Sequence, residues 1–323
     1  MIRFILNKIS RSILSKQDNH YRKLFKSINK NRNTLTLFDV GGAGGLQNRW
    51  KLYENDIKTT FFEPDKRSYT SLKKIGLNVI NKALWSKNTK KKFFLTKKSK
   101  SSSVFKPNKK YLDKFPDSQR YNIVNSKIIN LCKLDDFSSK SNHPNFIKID
   151  VQGAELEVLK GSKSTLKNVV GLEVEVNFKY IYHDIPLAKD VENFLNSQGF
   201  ILNDYLTLFR WERTMHRGFG EIIHGDALFL RSPEKIIDMS SKLQDPIKLI
   251  ENYVKILFIY NKLDLIKKIN EFVSKEYRKI LNLENLILVL EKNHFRIKFV
   301  DELSGYYTRY MISKDLEFPH WKL

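Results

Sequence analysis

Between residues 34 and 231 the apolar positions recur at two periods, strict alternation and the three-to-four spacing of a helix, and the two kinds of block take turns along the chain. Strands are predicted at Leu35-Thr36-Leu37-Phe38-Asp39-Val40, Thr59-Thr60-Phe61-Phe62, Asn78 to Leu84, Ser126 to Leu131, Phe146 to Ile149, Val169 to Val176 and Asp226 to Leu230. Helices are predicted at Leu46 to Asn55, Lys66 to Lys74, Glu155 to Lys160 and Asp190 to Gln198, the last three stopped by Gly76, Gly161 and Gly199. Lys92 to Thr96 and Ser101 to Phe105 read as a short hairpin with solvated ends. Strand and helix in alternation predict an α/β fold on a parallel sheet. Past Arg231 the composition shifts: Ile247 to Tyr260 and Leu263 to Leu290 keep helical spacing with few turn residues, which predicts a helical C-terminal extension over 232–323. Residues 1–33 are expected to form a basic amphipathic helical segment, with Ile2, Ile5, Leu6, Ile9, Ile13 and Leu14 on its apolar side.

Two places break the apolar logic. Lys148 and Asp150 alternate with Ile147 and Ile149 at the end of a strand that a parallel sheet would cover on both faces, where unpaired charge is costly. Glu173 and Glu175 repeat the pattern on the strand expected to lie beside it. These ionisable groups on neighbouring strands are either a satisfied ion-pair network or a reaction centre, because both perturb acid strength. Upstream, Gly41-Gly42-Ala43-Gly44-Gly45 follows the first strand, and Glu63 closes the second about twenty residues later, where a carboxylate can accept hydrogen bonds from ribose hydroxyls. The dinucleotide pattern needs a third glycine where Gln47 stands, and no Gly-Lys-Ser/Thr follows to hold a triphosphate. Asp39 at the head of the loop suits a cationic adenosine cofactor without phosphates, and S-adenosylmethionine is such a molecule. Asp39, Gly41, Gly42, Gly45 and Glu63 are its candidate contacts, with Ala83 placed to line the adenine side.

Asp39-Val40-Gly41 with Gly45, Phe62-Glu63-Pro64, Leu134-Asp135-Asp136-Phe137, and Lys148-Ile149-Asp150-Val151-Gln152-Gly153-Ala154-Glu155 with Leu159-Lys160-Gly161 resemble, in order and spacing, the FkbM family of S-adenosylmethionine-dependent methyltransferases. The resemblance covers about Thr34 to Arg231, and the Lys148 to Glu155 block is its most specific part. It implies a Rossmann-like methyltransferase fold with a mostly parallel seven-stranded sheet, and O-methylation, often of sugars, glycans or secondary metabolites. Gly42-Ala43-Gly44 departs from the family's usual Ala-Asn-Ile, and Gln152 stands where the family often has Glu, which argues against an essential acid at that position. Ser102 and Ser103 stand where the family tends to carry serines.

The chemistry expected is attack of an acceptor hydroxyl on the sulfonium methyl with inversion, in which positioning does most of the catalysis and a base takes the proton. Asp150 and Glu175 are the candidate bases, Lys148 their electrostatic partner, and His183 with Asp184 behind it a further candidate. Metal assistance ranks below metal-free chemistry. The substrate-contacting loops are expected at Lys97 to Tyr121 and Trp211 to His224. A nucleotide-binding oxidoreductase and a noncatalytic binding module remain as alternatives.

Composition changes this picture little. At 323 residues, 41% of them hydrophobic, the chain can build a real core, and the single cysteine, Cys132, rules out an intrachain disulfide. No apolar run reaches membrane-spanning length and no cleavage-like site follows the first residues, so a cytoplasmic soluble protein is expected. The formal charge of +23 is spread along the chain; Lys87 to Lys110 holds ten lysines and no acid. Lysine outweighs arginine and no nucleic-acid module is visible, so nucleic acid is not expected as a partner, whereas the first segment suits peripheral contact with an anionic membrane. Oligomeric state is not legible.

Overall fold

A computed structural model describes residues 20–28, 34–139, 142–213 and 220–292. The chain divides into two compact units. One takes the described residues up to Leu35, Gln47–Lys58 and those from Pro233; the other takes Thr36–Leu46 and Thr59–Ser232.

The second unit is built on strands β1 (Leu35–Val40), β2 (Ile57–Phe62), β3 (Val79–Ile80), β4 (Ala83–Leu84), β5 (Thr89–Thr96), β6 (Ile123–Cys132), β7 (Phe146–Ile149), β8 (Gly171–Asn177), β9 (Ile201–Trp211) and β10 (Glu221–Leu230). Seven form one sheet in the order β3-β2-β1-β7-β8-β10-β9, parallel from β2 to β3 and from β1 through β8, with β10 antiparallel to both its neighbours. The mostly parallel seven-stranded Rossmann-like sheet is therefore present. Its register puts Phe38, Ile147, Leu172 and Phe229 on one face, with Val40, Ile149, Val174 and Ala227 beside them. That face packs against Val158, Leu159 and Leu166 from the helices Glu155–Lys160 and Lys163–Leu166, and against Val191 and Leu195 from Ala188–Ser197. The opposite face carries Asp39, Lys148 and Glu173 in one row across three strands, and Glu175 opposite Asp226. The period of two thus separates a hydrocarbon face from an ionic one.

Three sequence expectations need correction. Asn78 to Leu84 is not one strand: Val79–Ile80 joins the large sheet and Ala83–Leu84 a second sheet of order β4-β6-β5. Lys92 to Thr96 does not form its hairpin with Ser101 to Phe105; β5 pairs antiparallel with the ten-residue β6, and only Phe94 and Ser103 bridge. Leu46 to Asn55 is a short helix, Asn48–Lys51, followed by a 3-10 turn.

The other unit is helical, with helices over residues 20–28, Asn48–Lys51, Pro233–Ser240, Pro246–Ile259, Leu263–Phe272, Lys275–Ile280 and 283–292. Pro246–Ile259 starts on a proline that has no N–H to leave unpaired, and every residue from Leu249 to Phe258 is buried. Glu251 and Lys255, one turn apart, neutralise each other there. Phe258 packs on Phe25 and Tyr53, whose rings stack at 4.4 Å. The apolar side Ile2 to Leu14 lies outside the described residues, and among those described no helix is long and apolar enough to cross a membrane.

The Leu134-Asp135-Asp136-Phe137 motif is a structural joint. Asp135 Oδ1 accepts from Thr165 N and Thr165 Oγ1 and its Oδ2 from Ser164 N, satisfying the free end of the helix Lys163–Leu166. Leu134 is fully buried, and Phe137 meets Phe62 edge-on at 5.2 Å. Asp135→Ala is expected to cost about 1–2 kcal/mol in chemical denaturation, as loss of a helix cap does, while Asp136→Ala, at a half-exposed carboxylate, costs less than half of that.

Candidate active site

The strand ends bring the unusual residues together. β1 runs into the glycine loop, where Gly41 has φ +85° and a Cβ would stand 1.8 Å from the backbone oxygen of Asp150. Only glycine permits both the turn and that approach, so the first loop presses on the end of β7. At Gly42 a Cβ would meet the Phe61 ring at 2.5 Å, so this glycine serves packing on β2. Gly45 closes the loop with its N–H on the Gly42 oxygen at 2.9 Å.

A cleft opens at this edge, lined by Gly41, Ala43, Glu63, Ala83, Lys100, Asp150 and Gln152 among others. Of the other expected cofactor contacts, Asp39, Gly42 and Gly45 are not among the residues that line it. Glu63 directly follows β2, is 5% exposed, and takes the Asp65 N–H on Oε1 at 2.7 Å. Burial pushes its carboxyl up to about 7, although the Asp65 N–H works in the other direction. Ala83 lies with Leu84 and Leu131 on an apolar stretch of the wall.

The ionic row is buried in the sheet, and of its partners only Asp150 lines the cleft. Lys148 Nζ sits 3.6 Å from Asp39 Oδ1 and 3.8 Å from Asp150 Oδ2. Burial works to lower the Lys148 pKa, yet Asp39, Asp150, Glu173 and Asp226 together raise it, so the ammonium stays charged. Burial raises Asp39 to about 6 against the pull of Lys148. Glu175 is raised well above its ordinary value by burial and then by Asp150, and Asp226 is raised to about 7 by desolvation and by Glu173. Gln152, held at φ +58°, donates from Nε2 to Asp150 Oδ1 at 2.8 Å and to Glu175 Oε2 at 3.0 Å. Glu155, 1% exposed, accepts from Val151 N and Gly153 N and so pins the turn that follows Asp150; burial raises it to about 8. Asp150, Glu155 and Glu175 each offer an oxygen within 4.8 Å of the others.

Asp150 reaches outward, with 34% of its side chain exposed, whereas Lys148 and Glu175 are 7% exposed. His183 lies apart from this cluster, exposed on the turn after β8. Another histidine is there instead. His224 Nδ1 stands 3.0 Å from Glu175 Oε1, out of hydrogen-bond alignment, and its ring stacks on Phe209 at 4.4 Å. Burial lowers its pKa to about 4, which keeps it neutral. The sequence places His224 at the end of an expected loop, Trp211 to His224, whereas the strand β10 begins at Glu221; the alternation Ile223, Gly225, Ala227 with His224 and Asp226 opposite is the signal that would have found it. Tyr182, fully buried, was also missed: its hydroxyl lies 2.9 Å from Gln152 Oε1 and 2.9 Å from Ser101 O.

The model of the methyltransferase FkbM domain matches residues 39–202, half of the chain. The chain belongs to the FkbM methyltransferase family. The match takes in the glycine loop, the acid after β2, the Asp135 joint and the Lys148 to Glu155 block. It makes the protein an S-adenosylmethionine-dependent methyltransferase and S-adenosylmethionine its cofactor. No curated protein matches the sequence. Solved structures similar to the chain include magnesium protoporphyrin IX methyltransferase from Synechocystis with bound S-adenosylmethionine, at 10% identity and TM-score 0.33, covering 69% of this chain and 84% of that one. Precorrin-6y C5,15-methyltransferase from Geobacter metallireducens matches at 12% identity and TM-score 0.34 over 64% and 85%. M. capricolum TrmK in complex with S-adenosylhomocysteine matches at 10% and 0.28 over 84% and 96%. At these values the likenesses add nothing to what the family match and the sheet order establish.

The raised acids set a stability profile. Asp39, Glu63, Glu155 and Asp226 hold protons in the folded state that the unfolded chain, with ordinary values of 3.8 and 4.5, has already released. The stabilisation this gives is complete below those ordinary values and is lost as pH rises through about 6 to 8. The ligand-free protein is therefore expected to melt at a higher temperature near about pH 5 than near about pH 8.5, and a flat or rising profile would contradict the protonated state.

Proposed function

We propose that the protein methylates a hydroxyl of a small-molecule or glycan acceptor, with Asp150 as the base. The observation that carries this reading is the unequal treatment of two linked acids: Gln152 holds Asp150 and Glu175 together, yet Asp150 opens to the cleft while Glu175 is buried and raised.

The residues present fit the donor. Asp39 and the loop Gly41 to Gly45 would hold its amino-acid end, the tight turn at Gly41 leaving no side chain in the way. Glu63 would accept the ribose hydroxyls, and the apolar wall at Ala83 would take the adenine. When bound, S-adenosylmethionine supplies a methyl group made electrophilic by the sulfonium charge. The protein's own part is to align the hydroxyl and take its proton at an Asp150 carboxylate oxygen. Lys148, its Nζ 3.8 Å from Asp150 Oδ2, sets a positive charge beside the carboxylate, and Gln152 fixes it in one orientation. Glu175, its carboxyl pushed well above the ordinary range by burial, and the neutral His224 stand behind as the fixed wall of the pair. His183, exposed on its turn, is left as a lesser candidate for contact with the acceptor.

A hydroxyl acceptor fits a carboxylate base poised beside a cation, because an alcohol must lose its proton as it attacks whereas a thioether or tertiary amine need not. The distributed positive charge and the lysine run do not by themselves make a nucleic acid the acceptor, and peripheral contact with an anionic membrane remains a reading of the first residues alone. A cytoplasmic setting fits the single cysteine.

Two variants test the division of labour. Asp150→Asn is expected to lower turnover by about a hundredfold or more, as loss of a general base does, while calorimetric affinity for S-adenosylhomocysteine stays within about twofold. Glu63→Ala is expected to weaken that affinity by about tenfold or more, since a buried acceptor of two hydroxyls is lost. Wild-type affinity should also rise as pH passes through about 7, where Glu63 ionises, and Glu63→Gln should flatten the rise. Turnover is measured by release of S-adenosylhomocysteine over a panel of sugars, glycans and hydroxylated metabolites. Unchanged turnover in Asp150→Asn removes the base assignment, and acceptors that carry only amines or thiols remove the hydroxyl.

A further inference from the structure

The methyl donor carries a carboxylate as well as its two positive groups, and the acids around the glycine loop answer only the positive ones. A cation is needed for the third charge. Lys148 is not available: it is 7% exposed and engaged with Asp39 and Asp150. Among the described residues two other cations line the cleft, Lys82 beside Ala83 and Lys100 near the glycine loop. A Cβ on Gly44 would stand 3.0 Å from Lys100 Nζ and 3.6 Å from its Cε, so the ammonium rests directly on the loop. It makes no salt bridge with any described acid, unlike Arg67 with Asp65 or Lys148 with Asp39.

The chain on both sides of Lys100 is fixed. Thr96 Oγ1 donates to Lys98 O at 2.7 Å, and Ser101 N and Ser102 N bond back to Lys98 O and Ser99 O. Ser102 Oγ accepts from Thr96 N and from Arg67 Nη2, whose guanidinium also binds Asp65, and Asp65 N is in turn the donor to Glu63. On the other side Ser101 O lies within hydrogen-bond distance of the buried Tyr182 hydroxyl. The loop is thus tied to the ribose acid and to the acid clamp, so the backbone that carries Lys100 is set before any ligand arrives and only the exposed side chain remains to be ordered.

We propose that Lys100 receives the carboxylate of the methyl donor's amino-acid end, clamping it against the glycine loop. This rests on S-adenosylmethionine as the cofactor and goes beyond it by naming the residue that reads the amino acid. The ammonium of a lysine on a short, fixed loop gives a charge-assisted hydrogen bond to a carboxylate oxygen. Gly44, with no side chain, leaves the ammonium end of Lys100 in direct contact with the loop.

Calorimetric titration with two ligands tests the idea. S-adenosylhomocysteine carries the amino acid; 5′-methylthioadenosine shares its adenosine and thioether and lacks the amino acid altogether. Lys100→Met is expected to weaken S-adenosylhomocysteine by about tenfold, leave methylthioadenosine within about twofold, and keep the melting temperature of an exposed-site variant. Lys100→Arg should recover most of the loss, and Lys82→Met should not discriminate between the ligands. Unchanged affinity for S-adenosylhomocysteine in Lys100→Met, or an equal loss for both ligands, overturns the proposal. Wild-type protein that binds neither ligand would instead overturn the choice of cofactor.

Discussion

One ammonium holds the centre of this sheet together. Four carboxylates, those of Asp39, Asp150, Glu173 and Asp226, act on Lys148, and it cannot neutralise them all. Charge beyond what it balances is expensive in a region closed to water, and the cheaper course is for the surplus acids to keep their protons. The upward shifts of Asp39, Glu175 and Asp226 are that consequence. The same constraint explains why an amide at position 152 is tolerated where the family often has an acid. A glutamate would bring one more negative charge to the pair it touches, whereas the amide of Gln152 offers two hydrogens and reaches both Asp150 and Glu175. The amide can therefore orient the reactive carboxylate without competing for its role.

The other fixed point is steric. Gly41 leaves no room between the first loop and the backbone oxygen of Asp150, and Glu155, buried behind the turn, takes the N–H groups of Val151 and Gly153. Between them they lock the segment Asp150 to Gly153 from two sides. The spacing of Lys148, Asp150, Gly153 and Glu155 then has a division of labour: Asp150 carries charge into the cleft with Lys148 buried beside it, and the last two shape the bend that aims it. A motif that reads as an unbroken string of chemistry is half scaffold.

Much of this was legible in the sequence because a buried strand declares its two faces. Ile147 and Ile149 against Lys148 and Asp150, and Leu172, Val174 and Val176 against Glu173 and Glu175, gave the faces, the neighbours and the ionic row, and the register bears them out. Legibility failed where the local pattern is weak or where pairing is long-range. Ile201–Trp211 is an edge strand, half-exposed along nearly its whole length, so no apolar alternation marked it. Asn78 to Leu84 has the composition of one strand, but its two halves bond to β2 and to β6, whose paired residues Phe61 and Leu131 lie far apart in sequence, which no local period encodes. The hairpin expected within Lys92 to Phe105 gave way to a longer ladder with β6 for the same reason. His183 drew attention through its neighbour Asp184, while His224 reaches Glu175 only because β10 runs antiparallel to β8 and pairs His224 with Asn177, next but one to that acid. Local sequence finds acid–base pairs adjacent in the chain, and the sheet makes pairs that are not.

The donor side and the acid side of the cleft share a proton. Tyr182 has one hydroxyl hydrogen, and two oxygens stand 2.9 Å from it: Ser101 O on the loop that carries Lys100, and Gln152 Oε1 on the clamp that carries Asp150. Only one of them can accept at a time. When the hydrogen points to Ser101, the loop is tied down and Gln152 Oε1 faces a lone pair, which favours turning the amide about and giving its oxygen to the acids; an acid can accept that arrangement only by holding a proton to donate. When the hydrogen points to Gln152, the amide keeps its N–H groups on Asp150 and Glu175, and the serine loop loses a bond. The serine loop and the amide that orients the acid pair are therefore opposite ends of one hydrogen-bond chain, and Tyr182, buried and far from either the glycines or Glu63 in sequence, is the residue through which they meet.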